Sequence, residues 1–368
     1  MAGDYFPAGT GTLSPPMRRA LSLAGRALGT TSPNPVVGAV LVQGGSVVGE
    51  GYTQPPGGPH AEAVALEGAG KLSGGAKLYV TLEPCSHTPK RTPPCAQAIV
   101  AAGVTEVHIA TLDTNPQVLG RGVEVLRAAG IRVQVGEGQS EARQLNEAYF
   151  KYTDTGLPFV TAKFAMSLDG KIAAASGDSQ WISGPSARLF VHRLRRQVDA
   201  VMVGINTVLA DDPRLTARSA RGLAVKAPLR VVVDSQGHLP AAARMLRESG
   251  ETVVATAGAR PRTGAEVWLL PGEGGRVDLA ALLARLGGRG VTSLLVEGGG
   301  VLLASLLEAG MVDKLYAVIS PIIIGGGDAP TPVAGKGVAR VAEALRLAKV
   351  RVSRRGPDMI VGGYLESP

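Results

Sequence analysis

EPCSHTPKRTPPC, residues 83–95, holds both cysteines of a 368-residue chain. Nine residues separate the two thiols, and four prolines stiffen a stretch with little to bury. Upstream, HAEAVALEGAG (residues 60–70) begins with a histidine at the expected start of a helix. One His and two Cys supply three ligands suited to zinc, with a fourth position left for water, the pattern of a catalytic site. Glu62 stands two residues after His60, where it can reach that water without ligating the metal. Pro84 sets the end of a strand and directs the Cys85 thiolate. The competing readings are incidental thiols or a disulfide, and a disulfide is disfavoured in a reducing compartment. His60, Cys85 and Cys95 are therefore the expected metal ligands, and Glu62 the expected catalytic residue.

A His-x-Glu followed by Pro-Cys and a second Cys is the pattern of zinc deaminases that act on nucleobases. There the metal acidifies its water, and the Glu carries the proton from that water to the leaving amine. The usual interval between the cysteines is two residues. A long insertion marks the bifunctional deaminase/reductase family of riboflavin biosynthesis, which this chain resembles through Pro84 to His87, Arg91 to Cys95, and Asn34 to Gly38. The resemblance implies that Asn34, His87 and Arg91 contact a pyrimidine and its ribose phosphate, as a Pro-locked loop bearing His and Arg can do. Three details depart from the family. The loop is one residue longer, with Pro89-Lys90 where Gly is common; Thr53 and Val64 stand where many members have His.

Outward from this stretch, Met17 to Gly29 shows helical spacing of apolar residues closed by Gly. VVGAVLV and SVVGEG, joined through Gln43 to Ser46, predict a hairpin. Strand KLYVTL, helix AQAIVAAG, strand EVHIATL, helix GVEVLRAAG and strand IRVQV follow. A single polar helix, EARQLNEAYFKYTDTG, leads to a domain boundary near Thr155. Beyond it come strand FVTAKFAMS, helix PSARLFVHRLRRQ, strands DAVMVG, LRVVVDS, TVVATA and EVWLL, helix LAALLARLG, strand SLLVEGG, helix VLLASLLEAG and strand KLYAVISPII. The alternation predicts two α/β domains with parallel or mixed sheets covered on both faces. We expect a flexible tail over 1–16, a deaminase domain over 17–154 and a reductase domain over 155–368.

Residues 163 to 218 resemble the reductase half of the same family, and the resemblance implies a dihydrofolate-reductase-like fold that uses NADPH. LLVEGGGVLLASLL reads as strand, glycine turn and helix, which can present backbone N–H groups to a pyrophosphate. It is not the GxGxxG of a Rossmann unit, and taken alone a simple tight turn is the better reading; the resemblance favours the phosphate role. By resemblance, Ala165, Trp181, Thr207, Asp211, Ser235 and the run Gly299, Gly300, Val301, Leu302, Leu303, Ala304 and Ser305 line the NADPH site. Ser179, Arg195, Leu215, Arg218 and Glu297 hold the substrate, with the two arginines as the natural clamp on a ribose 5-phosphate.

Composition bounds these readings. Hydrophobic residues make up 45% of the chain and charged residues 18%, a globular profile. No apolar run reaches the ~18 residues of a membrane span, and the N-terminus lacks the apolar core of a signal peptide. A net charge of +8 and a pI of about 9.6 favour anionic partners. Aromatics at 4% are few for a protein that stacks single-stranded bases, so phosphorylated pyrimidines are expected rather than nucleic acid. A nucleic-acid-editing deaminase and a scaffold with only one working domain are the rival readings. The expected protein is a cytoplasmic, bifunctional enzyme that takes one Zn2+ and NADPH. Its family commonly self-associates, which implies a homo-oligomer.

Overall fold

The computed structural model describes residues 13–86, 94–258, 261 and 263–366. His87 and Arg91, expected to contact substrate, lie outside these. The chain divides into two compact units, Met1–Gly156 and Leu157–Pro368.

In the first unit α1 (Pro15–Ala24) precedes the hairpin β1 (Gly38–Gln43) and β2 (Ser46–Tyr52), then α2 (Ala61–Ala69) and β3 (Lys77–Val80). After these come α3 (Cys95–Ala101), β4 (Glu106–Ile109), α4 (Arg121–Ala128), β5 (Arg132–Val135), α5 (Gln139–Leu145) and α6 (Glu147–Thr155). The sheet order is β2-β1-β3-β4-β5, antiparallel from β2 to β3 and parallel from β3 to β5. Alternation in β1 makes the three layers. Ala39 and Leu41 face the core shared with α2, α3 and α4, while Val40 packs with Met17, Leu21 and Ala24 of α1. The expected long polar helix is two helices. Buried Asn146 accepts from Val36 N–H at 2.8 Å and donates to Val36 O at 2.9 Å. This long-range pairing satisfies a loop backbone and breaks the helix between α5 and α6.

The second unit runs β6 (Phe159–Ser167), α7 (Pro185–Gln197), β7 (Ala200–Gly204), α8 (Ile205–Asp211), β8 (Ala217–Arg218), β9 (Ala224–Lys226), β10 (Leu229–Val233), β11 (Thr252–Thr256) and β12 (Glu266–Leu269). It continues with α9 (Leu279–Gly288), β13 (Ser293–Val296), α10 (Gly300–Glu308), β14 (Lys314–Ser320), β15 (Leu347–Arg355) and β16 (Asp358–Leu365). Nine strands form one sheet in the order β12-β11-β10-β7-β13-β6-β14-β16-β15. Neighbours are parallel from β12 to β14 and antiparallel beyond. Leu282, Leu286, Leu303 and Leu306 of α9 and α10 cover one face against Val231, Met202 and Val160. Val201, Val232 and Leu295 face the other side with Met245 and Leu239. The hairpin β15–β16 has no counterpart in the apolar pattern, because β15 is an edge strand exposed along most of its length.

Candidate functional sites

His60 is the residue before α2, in extended backbone, so its ring leaves the helix start. The helix is seated by glycines of β2: a Cβ at Gly51 would run into Ala61 O, and one at Gly49 into Ala65 O. Backbone therefore packs on backbone, which sets the height of the first turn and of Glu62 within it. Cys95 opens α3; its N–H donates to Cys85 Sγ at 3.4 Å, and Ala96 N–H donates to Cys85 O at 3.1 Å. His60 Nδ1 stands 3.3 Å from Cys95 Sγ and 3.7 Å from Cys85 Sγ. The three ligand atoms lie within 4.8 Å of one another, and no disulfide joins the sulfurs. A tetrahedral zinc with Zn–S of about 2.3 Å and Zn–N of about 2.0 Å would hold such atoms roughly 3.5 Å apart. The donor set and its spacing fit zinc. Glu62 is 3% exposed. Burial pushes its carboxyl up to about 7, and the adjacent Cys85 sulfur adds to the push. A carboxyl near neutrality is suited to take and return a proton.

Glu83, which the sequence reading passed over, anchors this centre. Its buried carboxylate accepts backbone N–H groups from Gly122 at 2.9 Å, Gly120 at 3.1 Å, Val123 at 3.2 Å and Asp113 at 3.3 Å. Gly122 sits so close to Pro84 O that no Cβ fits between. The start of α4 is thus clamped onto the two residues before Cys85. An acid directly before Pro-Cys, in a stretch otherwise buried, was the available signal. Glu83→Gln is expected to destabilise the first unit by about 2–4 kcal/mol, since an amide cannot accept from all four donors. Thermal unfolding checks this, and faster zinc release to a chelator should accompany it.

Asn34 ends the turn before β1; its N–H donates to Thr31 O at 2.8 Å, and its side chain is exposed. Thr53 is buried with Oγ1 accepting from Val37 N–H at 3.0 Å, so its hydroxyl serves the hairpin.

In the second unit the expected residues collect at the carboxyl ends of parallel strands, where open α/β sheets bind ligands. Gly204 ends β7, Ser235 follows β10, and Glu297 to Gly300 follow β13. Gly204, Ser235, Gly299, Gly300, Val301, Leu302 and Ser305 line one cavity of about 400 Å3. Leu303 and Ala304 turn inward into the core instead. Thr207 lies on α8 against Gly298, and Ala165 lies in β6. Ser179 Oγ donates to Asp211 Oδ1 at 2.7 Å, linking an expected substrate residue to an expected cofactor residue. Trp181 is exposed, with the Arg188 guanidinium 4.5 Å from its ring centroid. The Leu215 side chain is buried in the core beneath β7 and β10.

Arg195 does not stand as an open fork for phosphate. Its Nε and Nη2 meet Glu297 Oε1 and Oε2 at 2.5 and 2.8 Å, and Nη1 donates to Thr216 O at 3.1 Å. Arg218 makes only a 3.3 Å contact to Thr216 Oγ1 and has no carboxylate partner among the described residues. Lys163 and His192 join this cluster and were missed. Burial lowers the Lys163 ammonium, with Glu297 and Asp211 opposing and Arg195 reinforcing. Burial lowers His192 as well, helped by Arg195 and Arg218. A lysine in the middle of an apolar strand, FVTAKFAMS, was a readable anomaly.

Fold and sites together define a zinc-type deaminase unit followed by a reductase unit. The cytidine and deoxycytidylate deaminase zinc-binding region matches residues 12–111, and the RibD C-terminal domain matches residues 158–361. The riboflavin biosynthesis protein RibD of Escherichia coli is 43% identical over 360 residues, covering 93% of this chain and 96% of that one. The RibD of Aquifex aeolicus is 42% identical, covering 94% and 96%. The solved structure of Acinetobacter baumannii RibD superposes with a TM-score of 0.86 at 36% identity, covering 96% of this chain and 98% of that one. A diaminohydroxyphosphoribosylaminopyrimidine deaminase/5-amino-6-(5-phosphoribosylamino)uracil reductase from Thermotoga maritima gives 0.84 at 36% identity, covering 95% and 97%. The chain belongs to the RibD family of riboflavin biosynthesis proteins. Zinc belongs to the first unit, and NADPH to the second. No helix among the described residues is long and apolar enough to cross a membrane.

Proposed function

We propose that the chain performs two consecutive steps on a diaminopyrimidinone that carries a ribosylamino 5′-phosphate. In the first, water replaces the 2-amino group and ammonia leaves. In the second, the ribosyl chain of the product is reduced to ribityl. The convergence of one imidazole nitrogen and two sulfurs beside a buried carboxyl carries the reading. His60, Cys85 and Cys95 hold the zinc, which supplies Lewis acidity toward water when bound. Glu62 takes the proton of that water and delivers it to the leaving amine. Asn34, His87 and Arg91 contact the substrate by the family resemblance.

In the second unit, NADPH when bound would supply hydride for reduction at C1′ of the ribosyl chain. Ala165, Trp181, Thr207, Asp211, Ser235 and the Gly299 to Ser305 turn hold the dinucleotide, with Ser179, Arg218 and Glu297 toward the substrate; Leu215, Leu303 and Ala304, whose side chains lie in the core, offer only their backbone. Arg218 is the guanidinium left for the 5′-phosphate. Arg195 keeps Glu297 ionised and in place.

Supplying the diamino substrate to the purified protein should release ammonia first and oxidise NADPH second. Stripping the zinc with a chelator should cut ammonia release at least about 100-fold. NADPH oxidation on already deaminated substrate should continue. Undiminished ammonia release from verified zinc-free protein overturns the first assignment alone.

We also infer that the chain self-associates through β15, an edge strand that exposes Val350 and Val352, the latter at 62%. Unpaired edges with apolar side chains invite a second copy; sedimentation showing only monomer at assay concentration refutes this. Two cysteines that must stay reduced suit a cytoplasmic setting.

A further inference from the structure

The cavity of the second unit is lined by more than its glycine turn. One part is the glycine turn at the N-terminus of α10, a nine-residue helix whose first N–H groups suit the pyrophosphate of a dinucleotide. Another part is built from two loops far apart in sequence: the turn after β10, with Ser235 and His238, and the loop between β12 and α9, with Arg276. No sequence motif marks Arg276 or His238, and the cofactor reading above does not use them.

The backbone that carries Arg276 is pinned. Gly272 N–H donates to Arg276 O at 2.8 Å, and Pro271 pairs with Val277 across the loop. Val277 N–H donates to Ser235 Oγ at 3.2 Å, so the residue after Arg276 is tied to the turn after β10. This bond uses Ser235 as acceptor and leaves its hydroxyl proton for another partner. Among the acids beside these loops, Asp234 also lines the cavity, and its buried Oδ1 has no hydrogen-bond partner among the described residues. Asp278 Oδ1 accepts from Ala281 N–H at 2.9 Å to cap α9, and Asp234 Oδ2 accepts from Leu239 N–H at 2.8 Å. Arg276 is exposed and forms no ion pair among the described residues. The cavity thus offers a helix N-terminus for one anion, and a guanidinium, a hydroxyl and an imidazole for another.

NADPH differs from NADH by one phosphate, on the 2′-oxygen of the adenosine ribose. A guanidinium carried on pinned backbone, in one cavity with a hydroxyl donor, matches a phosphate monoester, which offers oxygens for charge-assisted, two-pronged bonding. We propose that Arg276, with Ser235 and His238 from the same cavity, reads the 2′-phosphate and sets the preference for NADPH over NADH. The inference rests on NADPH as the cofactor of this unit.

The test is calorimetric titration of the full-length chain with NADPH, NADH, adenosine 2′,5′-bisphosphate and 5′-AMP. Wild type should favour each 2′-phosphorylated ligand over its partner. Arg276→Met should weaken NADPH and the bisphosphate by about 30-fold, the size of one lost charge-assisted contact. NADH and 5′-AMP should change less than about twofold, which also shows that the cavity is intact. Arg276→Lys should retain part of the preference, and His238→Gln should cost about threefold. An Arg276→Met variant that keeps the wild-type ratio of NADPH to NADH affinity overturns the proposal. So does a wild type that binds both dinucleotides equally. A wild type that binds neither overturns the cofactor assignment and the proposal with it.

Discussion

Glu62→Gln is expected to lower ammonia release by about 1000-fold or more, within the range that a positioned proton carrier contributes. NADPH oxidation on deaminated substrate should stay at the wild-type rate, because the change lies in the other unit. The amide keeps the shape of the carboxyl in its buried position in the first turn of α2, but it cannot accept and return a proton. Glu62 lies outside the His60, Cys85 and Cys95 ligand set, so zinc content measured by elemental analysis should not fall. That combination separates loss of proton transfer from loss of the metal. A variant that releases ammonia within tenfold of wild type would remove Glu62 from the reaction.

Glu297→Gln is the second large effect, and it acts in the reductase unit. The wild-type carboxylate is 5% exposed, against 16% for its partner Arg195, and the two meet through both oxygens. Burial alone would raise the Glu297 carboxyl; Arg195, its bonds and Lys163 outweigh burial and hold it below its ordinary range. An amide leaves the Arg195 guanidinium buried without a counter-charge, which costs about 3–5 kcal/mol. It also removes the anion that favours charge on Lys163. We expect a lower unfolding temperature for the second unit and a reductase rate down by about 100-fold, as for a displaced contact group. Ammonia release should be unchanged.

The pH dependence has a definite sign. Because the folded carboxyl is lowered, its stabilisation is fully present above the unfolded carboxylate range. It is lost as pH falls through the folded value. The stability gap between wild type and Glu297→Gln should therefore be widest near neutrality and close in acid. A gap that does not narrow in acid would mean that the pair is not the source.

Ligand chemistry and local periodicity were readable without coordinates. His60, Glu62, Cys85 and Cys95 declared a metal by residue type and spacing, because zinc selects the same few donors on any backbone. The strands of the two main sheets, apart from the final hairpin, stood out as apolar runs between turns, the central ones most clearly because a strand such as β7, buried along nearly its whole length, must be apolar throughout. The β15–β16 hairpin stayed hidden, because an edge strand has no buried face to impose a pattern. Helix α8 was also missed; Val208 is its only buried residue, so it carries no apolar stripe.

By itself, the chain's order of residues determined two α/β units, the donor set of a metal, and a glycine turn suited to phosphate. Only the tertiary structure decided which charges meet. Arg195 and Glu297 are 102 positions apart, Asn146 and Val36 110 apart, and Val277, the residue after Arg276, bonds Ser235 across 42 positions. Such pairings depend on strand order and helix seating, which local pattern does not encode. Propensity and periodicity act over a few neighbouring residues, whereas buried charges and polar groups are satisfied by whatever the sheet topology brings beside them.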